Sequence, residues 1–380
     1  MKPVKQQFIE RFGHEPAVCS YAPGRLEILG NHTDYNEGFV LSCAVDQCTH
    51  FAMSPIEGTI CTICEHGKDS TLDLNDIHTP VKGDWRNYIK GLLVDLERRG
   101  IKFGSFEAIL DSEVPLAAGM SSSAALEMAF AYSLKTIYGI ELSLPDWARV
   151  GQAVENKFLG LSSGLLDQFS SLYGKKDSFI LCDFRSVEVL KNVPMPTGYS
   201  FVVVNSMVKH NLVDSAYNAR HISCTNATEA IRKAHPEIKT LRDVDSTLLE
   251  TCKNDMNKID YMRAVHVVGE DERVFKSVEC LERGDVKGFG ELLFQSHESS
   301  RVMFENSCPE LDQLIELSHT IPGCLGARLS GGGFGGISIH LVESKQADEY
   351  AARIKQAYKS LTGIDAATFV CSLGDGAGIE

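Results

Sequence analysis

Val114-Pro-Leu-Ala-Ala-Gly-Met-Ser-Ser-Ser-Ala-Ala-Leu-Glu-Met128 reads as a loop that runs straight into a helix. Three serines stand where the helix starts, and Leu126, Phe130, Leu134 and Ile137 then recur at helical spacing until Gly139 ends the run. A helix start leaves backbone N–H groups without intrahelical partners and carries the positive end of the helix dipole. Small residues keep that end open, so an anion such as a phosphate can reach the bare N–H groups. The serine hydroxyls can add donors, or one oxygen ligand to a magnesium ion. Read alone, the stretch fits an ordinary Ser-capped helix after a turn equally well.

Upstream lies Ser20-Tyr-Ala-Pro-Gly-Arg-Leu-Glu-Ile-Leu-Gly-Asn-His-Thr-Asp-Tyr-Asn-Glu-Gly38. Arg25, Glu27 and Leu29 alternate with Leu26 and Ile28, which predicts a strand that Gly30 breaks. Asn31, His32, Asp34, Tyr35 and Asn36 follow, before the apolar run from Phe39. A loop this dense in hydrogen-bonding groups suits a polyhydroxylated ligand, and its Asn and Gly also suit a plain polar turn. Downstream, Ser143-Leu-Pro-Asp146 is a capping box. The helix it starts has Trp147, Val150, Val154 and Phe158 as its apolar stripe, with Glu155 beside it. After the turn Gly160–Gly164, Asp167 stands in apolar surroundings, where a buried acid needs a partner or its pKa rises. Gly326-Ala-Arg-Leu-Ser-Gly-Gly-Gly-Phe-Gly-Gly336 lets a backbone approach a ligand or another chain closely. No helix-forming run follows it, so it is no dinucleotide fingerprint.

The 380 residues suffice for two domains. Val193-Pro-Met-Pro-Thr-Gly198 marks the expected boundary, giving units 1–195 and 196–380. A formal charge of −14 argues against a general nucleic-acid binder while leaving room for a nucleotide site. No apolar run reaches membrane-spanning length, and the first residues lack the apolar core of a signal peptide, so no membrane partner and a cytoplasmic location are expected. Of the twelve cysteines only Cys61 and Cys64 are close in sequence. They are expected on one short strand with their sulfurs near one another, and a lone CxxC is weak support for a metal. Strands are expected near 39–45, 49–54, 59–65, 105–111, 178–183, 200–205, 323–342 and 366–372. Helices are expected near 4–13, 214–234, 240–252, 256–283, 285–297, 308–319 and 345–361. Trp85 and Tyr88 open a further helix, where they suit a core or a stack on an aromatic base. Oligomeric state is not legible.

Taken together, the three stretches resemble the GHMP superfamily of small-molecule kinases and, within it, the galactokinase branch. Gly24–Gly38 looks like the sugar-binding signature, Val114–Ala125 like the phosphate loop and Gly326–Gly336 like the third motif. Trp85–Gly91, Glu155–Phe158 with Gly164–Phe169, Asn205–His210 and His266–Glu270 also match, in the expected order. The resemblance implies a two-domain α+β fold, with an N-terminal half like domain 2 of ribosomal protein S5 and a ferredoxin-like C-terminal half. It implies transfer of the ATP γ-phosphoryl group to the anomeric hydroxyl of galactose, with Mg2+. Gly119, Met120, Ser121, Ser122 and Ser123 would hold the nucleotide phosphates, Trp85 and Tyr88 would flank adenine, and Ser122 and Glu155 would ligate the metal. Asp167 would face the sugar hydroxyl beside Arg25, and Glu27, Asn31, His32, Asp34, Gly164 and Tyr217 would contact the sugar. Gly332, Gly333 and Gly335 would brace the phosphate loop from the other domain.

The chain departs from that pattern at four positions. Asn31 stands where Glu is usual, Glu27 where Asn is usual, Ala117 for Gly and Met120 for Leu. The usual Glu is expected to accept a hydrogen bond from the sugar 6-hydroxyl, a charged bond worth roughly 1.5–3 kcal/mol. Its replacement leaves open a galactose-like sugar altered at carbon 6, such as a uronic acid or a 6-deoxy sugar. A non-catalytic sugar-sensing relative is a third reading, against which stand Arg25, Asp167, Glu155 and the three serines.

Overall fold

The structure, a computed structural model, describes residues 2–115, 119–161, 163–209 and 213–380. Ala117 and His210 lie outside the described residues. Helix α1 (Val4–Phe12) leads to strands β1 (Val18–Leu29), β2 (Phe39–Pro55), β3 (Ile60–Glu65) and β4 (Lys68–Asp73). Helix α2 (Arg86–Arg98) and strand β5 (Phe106–Ser112) come next, then helices α3 (Ser122–Tyr138), α4 (Leu144–Ala153) and α5 (Leu166–Tyr173). Strands β6 (Ser178–Asp183) and β7 (Glu188–Pro194) complete this half.

Strand β2 is the spine of the first sheet. Its start pairs with β6, its end with β5, and β1 runs antiparallel along nearly its whole length. Both faces are covered, so Phe39–Pro55 is one strand where the sequence predicts two. Parallel pairing of β3 with β5, and β4 beyond it, extends the sheet. Helices α2, α3, α4 and α5 cover one face around Phe51, Leu92, Phe130, Trp147 and Phe169. The two strand cysteines are not neighbours. Three residues apart on a pleat, Cys61 enters that core while Cys64 points to the opposite face with Phe8 and Ile109.

The second half begins with β8 (Tyr199–Lys209), followed by helices α6 (Val213–Arg232), α7 (Ser246–Thr251), α8 (Lys258–Glu282), α9 (Val286–Ser299) and α10 (Pro309–Thr320). The helix expected over 240–252 is broken. Asp243 closes a capping box with Thr240, and Asp245 caps α7 by accepting from the Leu248 N–H at 2.7 Å, so two local starts replace one long helix. Strands β9 (Cys324–Ser330) and β10 (Gly335–Glu343), helix α11 (Ala347–Thr362) and strand β11 (Ala367–Cys371) follow. The second sheet is antiparallel, in the order β11-β8-β10-β9.

Alternation along β8 feeds two cores. Val202 and Val204 pack under α10 and α11 with Leu314, Tyr350, Ile354 and Tyr358. Phe201 and Val203 face the other way, into a core shared with Leu26, Ile28, Val45, Met120, Phe179, Phe289, Ile337 and Ile339. Residues of both halves therefore enclose one apolar cluster, at the junction where β1 meets β9. The chain finally returns to the first sheet, where β12 (Gly378–Ile379) pairs with Ser20 and Tyr21 of β1. Among the described residues no helix is long and apolar enough to cross a membrane.

Candidate active site

Strand β1 sets the site. Its regular ladder, Arg25↔Ala44 to Glu27↔Ser42, puts Arg25 and Glu27 on one face while Leu26 and Ile28 fill the shared core. Arg25 donates from Nε and Nη2 to Asp167 Oδ1, at 2.9 and 2.7 Å, and from Nη1 to the Gly119 carbonyl at 2.7 Å. Ser121 Oγ donates to the other Asp167 oxygen, Oδ2. The Arg25 N–H reaches the Met120 carbonyl at 3.0 Å. One arginine thus ties strand, loop and the start of α5 together.

Ser121 sits before α3 with φ 55°, a left-handed conformation that costs a non-glycine residue about 1 kcal/mol or more. Its hydroxyl is spent on Asp167 and makes no cap on α3. The first-turn N–H groups of α3 are therefore left uncapped by Ser121. Ser122 and Ser123 follow as the first helical residues, half-buried.

A cavity of about 200 Å³ opens beside Asp167, bordered by Arg25, Glu27, Asn31, His32, Asp34 and Glu155, by Gly164, and by Tyr217, Gly331 and Gly332 from the second half. A Cβ on Gly164 would lie 1.6 Å from Asp34 Oδ2, so any larger residue there must displace the Asp34 carboxylate. Burial first, then the charges of Glu27 and Asp167, push the Asp34 carboxyl up to about 7. His32 hydrogen-bonds with the Tyr35 hydroxyl (2.9 Å) and the Gly332 carbonyl (3.2 Å), and burial pushes its imidazole down to about 3. Its ring lies 4.5 Å from Phe304 and 5.0 Å from Tyr217.

Glu27 and Asn31 form a pair. Asn31 Nδ2 donates to Glu27 Oε1 at 2.8 Å and to the Gly331 carbonyl at 2.9 Å, while its Oδ1 accepts from Asn306 Nδ2 at 2.9 Å. The fully buried Arg328 adds a 3.1 Å ion pair to Glu27 Oε1. Helix α8 holds both ends of the sugar loop. Glu270 Oε2 accepts from the Gly30 and Asn31 N–H groups at 3.0 and 2.9 Å, and Asp271 accepts from the Phe39 N–H at 2.7 Å. Burial opposes the Glu270 charge, but Arg273, 2.6 Å away, holds its carboxyl well below the usual range. Burial pushes Asp271 up to about 7.

Glu155 lies on a π turn, Val154–Phe158, closed by the Leu159 N–H on the Val154 carbonyl at 2.9 Å. Such an inserted residue is common at functional sites. Ser163 Oγ donates to Glu155 Oε2, and burial, then the Asp167 charge, push the Glu155 carboxyl up to about 7. Trp85 and Tyr88 sit at the start of α2, half-buried against the first core and outside the cavity lining. The phosphate-loop glycine Gly119 abuts Ile337 and Gly331, whereas Gly332 and Gly333 pack toward Tyr217 and Asn306. Gly335 pairs with Lys209 across the second sheet.

Arg328, Asn306 and Asp271 escape sequence reasoning. Arg328 is the one charged residue in Gly326–Gly336, which is a usable signal. Asn306 has none, because only the fold brings it to Asn31.

Three family models match the chain. Residues 6–55 match the galactokinase galactose-binding signature, 87–175 the GHMP kinases N terminal domain and 277–360 the GHMP kinases C terminal region. Fold and site thus define a two-domain α+β GHMP kinase. A galactokinase of Roseiflexus sp. is 34% identical over 378 residues, 99% of this chain and 96% of that one. A galactokinase of Clostridium perfringens is 36% identical over 382 residues, 98% of each. The crystal structure of Lactococcus lactis galactokinase complexed with galactose superposes with a TM-score of 0.92 at 28% identity, covering 98% of both chains. A mevalonate kinase of Methanococcus jannaschii shares the fold alone, with a TM-score of 0.64 at 18% identity. The chain belongs to the galactokinase family.

Proposed function

We propose that this protein transfers the γ-phosphoryl group of ATP to the anomeric hydroxyl of galactose, giving galactose 1-phosphate and ADP. One observation carries the reading. Asp167 is held between Arg25 and Ser121, the residue before α3, and borders a cavity rich in hydrogen-bonding side chains. Asp167 takes the proton of the attacking hydroxyl as a general base. Arg25 holds it in place through two hydrogen bonds and faces the charge that develops on the transferred group. Gly119 to Ser123 and the α3 N–H groups bind the nucleotide phosphates, and Trp85 and Tyr88 flank the base. Asp34, His32, Gly164, Tyr217, Asn31 and Glu27 form the sugar site. Because phosphoryl transfer passes through a loose transition state, positioning and charge supply most of the rate.

The donor set suits magnesium. Glu155 and Ser122 offer hard oxygens, and Glu155 is a carboxylate whose charge is opposed by burial and by Asp167, so a cation there relieves it. When bound, the ion supplies positive charge to the phosphate oxygens. We also place the division of the chain into two units near residue 195, between β7 and β8.

The test is a panel of sugars with Mg-ATP, read as ADP release. Galactose should be the best acceptor among galactose, glucose, 6-deoxygalactose and galacturonic acid. Galactose as the poorest acceptor would overturn the substrate assignment.

A further inference from the structure

Glu27 is a buried carboxylate whose two oxygens do different things. Oε1 is saturated, accepting from Asn31 Nδ2 at 2.8 Å and pairing with Arg328 at 3.1 Å. Oε2 has no hydrogen bond to any described residue and is not sealed away from the cavity that Glu27 lines. Asn31 is the opposite case. Both its N–H donors go to Glu27 and Gly331, and its carbonyl oxygen accepts from Asn306. It has no donor left for a ligand, although it borders the same cavity.

Position fixes what Oε2 meets. Glu27 lies two residues from Arg25 on one strand face, about 7 Å along a regular ladder. Arg25 holds Asp167, which faces the reacting hydroxyl. That separation is comparable to the width of a pyranose with its substituents, so Glu27 faces the far end of the same ring. Burial pushes the Glu27 carboxyl up, against the opposing charges of Arg328 and Arg25; in its ionised form it only accepts hydrogen bonds and needs a donor there. Asp34, Glu155 and Asp167 share the cavity, with Arg25 the one cationic side chain lining it among the described residues. A second carboxylate on the ligand would meet like charge.

We propose that Glu27 is the residue that selects the sugar: its free oxygen accepts a hydrogen bond from a neutral hydroxyl opposite the phosphorylated carbon, while Asn31 and Arg328 hold it in position. The pair has exchanged duties relative to the pattern in which position 31 carries the acid. The substrate class is a neutral aldohexose with a hydroxyl at that end. Uronic acids are rejected. This rests on the kinase reading above.

The experiment compares the unaltered protein and Glu27→Gln with galactose, 4-deoxygalactose, 6-deoxygalactose and galacturonic acid, all with Mg-ATP. The unaltered protein should favour galactose over one of the deoxy sugars by about ten- to a hundredfold in kcat/KM, the range of a charged hydrogen bond. In Glu27→Gln that ratio should shrink about tenfold, galacturonic acid should gain, and the KM for ATP should hold. An equal loss on all four sugars would make Glu27 merely structural and overturn this proposal alone. No turnover of any sugar by the unaltered protein would overturn the kinase reading and this proposal with it. Should glutamine at 27 unfold the protein, Glu27→Asp keeps the charge beside Arg328 but withdraws the oxygen from the cavity. The same loss of discrimination is then expected.

Discussion

At the scale of single residues, the site is a set of carboxylates kept apart by what each one touches. Asp167 has Arg25 and Ser121, Glu27 has Arg328 and Asn31, and Glu270 has Arg273 and two backbone N–H groups. Among the described residues Asp34 has no cationic partner, and its carboxyl stands near 7 because burial and two neighbouring acids oppose its charge. In the proposed function it accepts hydrogen bonds from sugar hydroxyls as a carboxylate. In the sugar-free protein the acid form persists up to about pH 7, so affinity for galactose should fall about tenfold between pH 8 and pH 6. The same shift has the opposite sign for folding. A folded value above the unfolded one favours the folded state below the ordinary carboxylate range, and that contribution is lost as pH rises through 7. Galactose titrations and thermal melts across this range check both signs. Affinity unchanged between pH 8 and pH 6 would exclude the Asp34 role. Arg25, Asp34 and Asp167 were legible because charged residues in glycine-rich or apolar stretches need a reason. The locking of Asn31 was not, since Asn306 and Gly331 lie 275 and 300 residues away in sequence.

At the scale of elements, α8 is a clamp. Adjacent acids Glu270 and Asp271 hold the two ends of the loop between β1 and β2, one at Gly30 and Asn31, the other at Phe39. Removing the Glu270 charge leaves the half-buried Arg273 without its partner, a change that costs up to about 3–5 kcal/mol, the figure for a fully buried pair. Glu270→Gln should therefore lower thermal stability and raise the KM for galactose severalfold with little change in the KM for ATP, because the phosphate loop hangs from β1 and β10 instead. Equal changes in both KM values would mean that α8 acts on the whole molecule and not on the loop. Helical periodicity reveals α8 as a long helix, but only the packing shows which of its turns meets the loop. The same limit explains the missed break between Thr240 and Ser246, where local capping outweighs a continuous apolar pattern.

At the scale of the whole molecule, the two halves share a core. Leu26, Ile28 and Met120 pack with Val203, Ile337 and Ile339, and β12 returns to the edge of the first sheet. The halves are thus expected to unfold as one unit, with a single calorimetric transition whose enthalpy matches the van't Hoff value. Two resolved transitions would contradict the shared core. Alternation and helical spacing place individual strands and helices, whereas the α+β character is what the resemblance to the GHMP kinases implies. The proline-rich segment before Tyr199 suggested separate units, whereas the cluster that crosses it depends on Phe201 and Val203 facing the first half, which alternation alone cannot orient.

The central claim is that Asp167, steadied by Arg25 and aimed from the start of α5, takes the proton of the anomeric hydroxyl. The most direct measurement is phosphorus NMR of galactose and Mg-ATP with the unaltered protein and with Asp167→Asn. The unaltered protein should yield galactose 1-phosphate, while the variant binds ATP and loses turnover by about a hundredfold or more. Galactose 1-phosphate formed by Asp167→Asn at an undiminished rate, or phosphate appearing on another hydroxyl, would contradict it.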